Sequence, residues 1–463
     1  MPTEVASLDP RFTTRSLDIK VTRLIHAGLV GLDPETLSPT PLVAESWERL
    51  GPRSLRVTLR RGLRFHSGAA LTARDVCATL SALADPTLGS PHRAVVAAIG
   101  GCVPLGSHQL EIRLSEDRAT LLTDLEVPIL RADQARSSLR ADGILDGLGP
   151  YRVARMEPGV IHLAPVATGL LPKPRWGLVV RTIRDENARA LRLLAKRADI
   201  APNAISATLL PTLAKQPGLV VRARPGANVT YLLIHNERPP LDRVEVRRAL
   251  ARGIDRALLT RTLLASRARA ASWIFPEGHW AHPGGIEPEP VDPKSAREAF
   301  RDLPPLTLLT STDRARRTMA RAIAQMLGDA GLQVRVLPLD LGVMLDRLDR
   351  GDFELATLQM PELTEPNILK WFFHPRGVPG EGGEGRNRAR YRSPMAALWL
   401  DQASTSADSE VRKSCYAKLA RRMQKDLPVI PLWHEDQVAV VSERAREFQL
   451  SAEGRWLGMA SLR

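Results

Sequence analysis

Aromatic side chains are scarce in this chain, 4% of 463 residues. Lysine is scarcer: nine residues, so arginine supplies almost all of the 65 basic groups behind a net charge of +14. A nucleic-acid groove combines clustered charge with stacking aromatics or a known module. Neither occurs, and pairs such as Arg247-Arg248 and Arg421-Arg422 sit on amphipathic helical patterns. The excess charge reads as a general preference for Arg on solvated helix faces, not as a nucleic-acid site. A weak attraction to an anionic membrane surface stays open. Three cysteines (Cys77, Cys102, Cys415) are too few and too scattered for a disulfide framework or a zinc site, and Cys77 and Cys415 read as small buried thiols. No run approaches the roughly 18 apolar residues that span a bilayer. The opening Met1–Pro10 has neither the basic region nor the apolar stretch of a secretion signal. That leaves two expectations open: a signal outside this chain, or a cytoplasmic protein. Gly-x-Ser-x-Gly, His-Glu-x-x-His and the dinucleotide-binding glycine pattern are all missing, which leaves hydrolytic and redox chemistry without a positive feature.

The chain does have length and pattern. At 463 residues it exceeds one compact core, and two or three domains are expected. Apolar Leu17, Val21, Leu24, Ile25 and Leu29 recur at helical spacing, predicting a helix over 17–29. Leu55, Val57 and Leu59 alternate with Arg56, Thr58 and Arg60, the pattern of a half-buried strand, and 110–114 repeats it. Thr72-Ala73-Arg74-Asp75 matches a capping box ahead of Val76, Leu80 and Leu83. Asp185 caps a predicted helix over 185–196, and 231–236 reads as a buried strand. The stripe Val246, Leu250, Ile254 and Leu258 predicts one helix over 242–264. Helix 318–331, strand 334–337, helix 343–349 and strand 353–358 form a βαβ-like run, implying a mixed sheet covered by helices. A helix over 410–425 follows. The Gly- and Arg-rich segment 376–392 lacks the ending of a phosphate loop and reads as a mobile surface loop. His279 and His282 have a spacing that could ligate a metal, but Pro and Gly on both sides argue for a loop without one.

Three separated motifs carry a resemblance. Leu42-Val-Ala-Glu-Ser-Trp47, the strand, Phe65-His66-Ser67-Gly68 and Leu71-Thr-Ala-Arg-Asp-Val76 come first. The second is the Val246–Arg256 helix wording and the third is Leu427-Pro-Val-Ile-Pro-Leu-Trp-His434. In this order they resemble solute-binding protein family 5, the oligopeptide, dipeptide and nickel group of transporter-associated binding proteins. The resemblance implies an α/β, periplasmic-binding-protein-like fold (type II, cluster C), two-lobed, with mixed sheets and an extra domain. It places residues 1–30, 151–240 and 441–463 in one discontinuous domain, 31–150 in the extra domain, and 241–440 in the second lobe. It further implies a monomer that traps a peptide by hinge closure, needs no cofactor and catalyses nothing. Its partners would be an ABC permease and its ATPase subunits outside the cytoplasmic membrane, with membrane association only through the transporter or a lipid anchor.

The ligand site follows from the same resemblance. Peptide-binding relatives place an acid after the 353–358-type strand to pair with the ligand ammonium, and here that position falls on Glu362. Relatives usually carry Asp there and Trp three residues earlier; this chain has Gln359. Thr14, Arg15 and Ser16 correspond to the segment that holds a peptide backbone like an added strand. His66, in the family's turn, is expected to bond backbone. A non-peptide solute (a metal chelate, a sugar or another small polar molecule) and a cytoplasmic ligand sensor remain the alternatives.

Overall fold

The structure is a computed structural model that describes residues 1–137, 144–380 and 385–462. The chain forms two compact units: residues 1–224 with 437–463, and residues 225–436.

The first unit contains separate cores. One is an antiparallel sheet ordered Ala44–Gly51, Ser54–Leu59, Gln109–Leu114 and Ile99–Pro104, backed by the helix Ala73–Ala84. The alternation at Leu55, Val57 and Leu59 is borne out: all three are 1% exposed. The capping box closes as expected, with the Asp75 carboxylate accepting from the Thr72 amide at 2.8 Å. This core draws its buried residues from Ala27 to Leu148. A second core joins Leu8, Val21, Leu24 and Ile25 to Tyr151, Ile161 and Leu163 and to the C-terminal Phe448 and Trp456. The N-terminal helix runs Ser16–Ile25, shorter than predicted, because His26 turns extended and is buried. Leu29 is buried beyond the helix, so its helical spacing came from a separate packing contact.

The cysteine reading fails for one pair. Helix Ala73–Ala84 packs on strand Ile99–Pro104, bringing the Cα atoms of Cys77 and Cys102 to 5.1 Å in a disulfide. Twenty-five residues separate them in sequence, so only the packing reveals the match. Cys415 is a buried free thiol, as expected.

The second unit is built on a six-stranded mixed sheet ordered Ala268–Ala270, Val429–Glu435, Val229–Ile234, Leu355–Met360, Leu306–Ser311 and Val334–Leu339. Leu306–Ser311 runs parallel to both its neighbours, which is the predicted βαβ-like rhythm. The predicted helix over 242–264 is two helices, Val244–Arg252 and Arg256–Leu263. The break has a local cause: Asp255 turns extended and accepts from the Leu258 amide, starting a new helix. Much of the stripe survives it, with Val246, Leu250 and Ile254 all buried. Segment 376–392 is only partly the surface loop expected. Val378, Asn387 and Tyr391 are buried, and residues 381–384 of its glycine run lie outside those described.

Candidate functional site

Strand Leu355–Met360 brings Gln359 and Glu362 to one segment of the second unit, Glu362 following at the strand's exit. Pro361 ends the ladder, since it has no amide to donate. Leu363 then pins the chain: its amide donates to the Ala227 carbonyl at 2.8 Å and its side chain is fully buried. Glu362, between an exposed proline and that anchor, is half-buried. Glu365 holds the far side by pairing with Arg412 and accepting from the Asn367 amide at 3.1 Å. Arg412 in turn lies 5.0 Å from the Trp280 ring and 5.9 Å from that of Tyr416. Burial pulls the Arg412 guanidinium down, but Glu365 beside it outweighs this, so the net shift is upward. The backbone that carries Glu362 is thus held between the strand end at Met360 and the Leu363 anchor.

Gln359 does not stand alone. Its side-chain oxygen accepts from Arg316 Nη2 at 2.6 Å. Arg316 Nη1 donates to Thr230 Oγ1 at 3.1 Å and to Glu435 Oε1 at 3.3 Å. The same Glu435 oxygen accepts from the Thr230 hydroxyl and the Trp433 indole N–H, both at 3.2 Å. Sheet register creates the cluster: Gln359 lies opposite Thr230, and Thr230 opposite Trp433. Arg316 enters from the first turn of helix Arg314–Asp329, which Asp313 caps. The side chains of Arg316 and Glu435 are 26% and 29% exposed, so this polar wall stays in contact with solvent. Nothing local in the sequence marks Arg316 or Glu435, 43 and 76 residues from Gln359; strand pairing brings in Glu435 and a helix N-terminus brings in Arg316.

Thr14, Arg15 and Ser16 lie in the first unit and are all exposed. Arg15 is extended and caps helix Ser16–Ile25, its carbonyl accepting from the Ile19 amide at 3.0 Å. Among the described residues the amides of Thr14 and Arg15 and the carbonyl of Thr14 make no hydrogen bond. His66 bonds backbone as expected, Nε2 donating to the Gly149 carbonyl at 2.9 Å. His279 and His282 each turn Nδ1 to a backbone amide two residues on. Among the described residues no group of three or more His, Cys, Asp or Glu gathers to hold a metal. No helix among them is long and apolar enough to cross a membrane.

A family profile described as bacterial extracellular solute-binding proteins, family 5 Middle, matches residues 38–378. The chain is 24% identical to a probable di/tripeptide-binding protein 5 of Pseudomonas aeruginosa, over 96% of this chain and 90% of that one. Its fold is similar to that of NikA from Brucella suis in complex with Fe(III)-EDTA, at a TM-score of 0.87 and 19% identity. That match covers 99% of this chain and 98% of that one. It is also similar to the periplasmic binding protein DppA from Helicobacter pylori in complex with the peptide STSA. There the TM-score is 0.79 and the identity 21%, over 99% and 96% of the two chains. These likenesses identify the fold as that of the periplasmic binding proteins.

Proposed function

Because the chain belongs to the bacterial extracellular solute-binding proteins of family 5, we propose that it is the substrate-binding component of an ABC-type importer. It takes a peptide and releases it chemically unchanged. The observation that carries the peptide reading is Glu362, a half-buried carboxylate on a loop pinned at Leu363 and Glu365. It would receive the ligand ammonium, while the unpaired backbone groups of Thr14 and Arg15 would run beside the peptide as an added strand. Ser16 completes that segment. Capture by hinge closure and delivery to a permease with its ATPases belong to the same proposal. So does an extracytoplasmic location, which the Cys77–Cys102 disulfide supports because such bonds persist in oxidising compartments. The division into 1–30, 151–240 and 441–463, then 31–150, then 241–440, also stays a proposal. The separate core spanning Ala27–Leu148 supports setting 31–150 apart.

One observation favours a second reading. The wall around Gln359 is polar, with Arg316 ion-paired to Glu435, and suits a small polar solute or chelate better than an apolar side chain. Mass spectrometry of small molecules released from the native protein separates the two. Peptides are expected. A chelate or sugar alone would replace the peptide reading with the second, and turnover of the bound compound would end both. With the released ligand, calorimetry on Glu362→Ala should show affinity roughly ten- to 150-fold weaker, the worth of one charge-assisted hydrogen bond. Unchanged affinity removes Glu362 from the site.

A further inference from the structure

Positive charge is unevenly spread over the first unit. Between Lys173 and Arg197 there are eight basic residues and two acidic ones, a net +6 in 25 residues of a chain whose total is +14. Both acids are occupied locally: Asp185 caps the helix Glu186–Leu194 and Glu186 accepts from the Ser206 amide. Among the described residues Arg181, Arg184, Arg192, Lys196 and Arg197 make no ion pair. Apolar side chains stand exposed among them. Leu191 is 63% exposed, Val179 55%, Trp176 45% and Leu194 43%. Leu191 and Leu194 share one side of their helix at i, i+3 spacing, whereas Leu193 between them is buried. Trp176 sits between the guanidinium groups of Arg175 and Arg444, at 4.9 and 5.5 Å from the ring centre. An open cavity of about 450 Å³ joins strand to helix, lined by Leu178, Val180 and Leu193 and edged by Arg181 and Arg192.

We propose that this face docks on an anionic phospholipid bilayer. Charge complementarity selects the occupant: unpaired arginines attract acidic headgroups. Exposed leucines, a valine and a tryptophan have somewhere to go only at the headgroup–acyl boundary, where Trp is favoured. A nucleic acid would use the charge but leave the aliphatic side chains in water. The contact is peripheral and reversible, and it adds to whatever attachment the transporter provides. It involves none of the proposed ligand-site residues, so its failure leaves that site untouched.

The test is co-sedimentation of the full chain with vesicles of phosphatidylglycerol and phosphatidylcholine, against phosphatidylcholine alone, at low and physiological salt. The wild type should bind only the anionic vesicles, more weakly as salt rises. Each basic residue near such a surface is worth about fivefold in binding, so Lys196→Glu/Arg197→Glu should lose about 25-fold or more. Leu191→Ser/Leu194→Ser should lose roughly tenfold through its apolar contact. All four positions are exposed, and unchanged circular dichroism would confirm folding. No binding to anionic vesicles, equal binding to neutral ones, or an unaffected charge-reversal variant would overturn the proposal. So would a serine variant that binds like wild type, since that would mark a face serving any polyanion.

Discussion

Arg316 shows how one residue can organise a polar cluster. The Gln359 side-chain oxygen needs a donor. Arg316 supplies it while also meeting Thr230 and Glu435. Removing the guanidinium leaves Gln359 without this donor and Glu435 with only Thr230 and Trp433. Arg316→Met is therefore expected to cost about 1–2 kcal/mol of stability, tempered by the partial exposure of the cluster. Gln359→Leu should cost less in the Arg316→Met background than in the wild type, with a coupling of about 1 kcal/mol in urea unfolding. Strictly additive costs would mean that the two side chains do not act as a unit. Exposed pairs such as Arg53–Asp117 and Arg347–Asp352 lie in water, and substituting their carboxylates should change little.

At the scale of elements, legibility followed distance along the chain. The capping box at Thr72 and Asp75 and the alternation at Leu55, Val57 and Leu59 are local patterns, and both fold as read. The stripe was legible as buried at Val246, Leu250 and Ile254 but not as broken, because a periodic pattern does not register that Asp255 can start a second helix, on which Leu258 is 39% exposed. Glu362 could be placed only through the resemblance, and Arg316 not at all, since the packing of helix Arg314–Asp329 on the sheet brings it to Gln359. The disulfide was illegible for the same reason. It staples helix Ala73–Ala84 to strand Ile99–Pro104 across 25 residues, a loop whose closure should contribute about 3 kcal/mol. Reductant is expected to lower the unfolding free energy of the wild type by that order, seen as a lower urea midpoint, and to leave Cys77→Ser/Cys102→Ser unaffected. An identical midpoint with and without reductant would mean the bond carries no stability.

Across the whole molecule, acid should act through buried histidines in both units. Burial pulls His26 down to about 3, helped by the nearby His66, and His279 and His434 down to about 4 against backbone carbonyls that oppose the shift. His66, His92, His235 and His282 are displaced downward too, also mainly by burial. A histidine neutral when folded and titrating near 6.5 when unfolded gives its full stability above pH 6.5. That stability is lost as pH falls from 6.5 towards the folded value, because the unfolded chain then binds more protons. Glu453 and Asp436 run the other way, since burial raises them and acid relieves their cost. Those are two carboxyls against seven imidazoles, and the carboxyls' unfolded-state titration lies lower, so the histidines decide the window from pH 6.5 to 5. Each of His26, His279 and His434 should contribute a loss on the order of 2 kcal/mol between pH 7 and pH 5. His26 lies in the first unit and the other two in the second, so calorimetry at pH 7 and pH 5 should show both units melting earlier in acid. A midpoint that is flat or rises from pH 7 to pH 5 would mean that these imidazoles are already solvated in the folded chain.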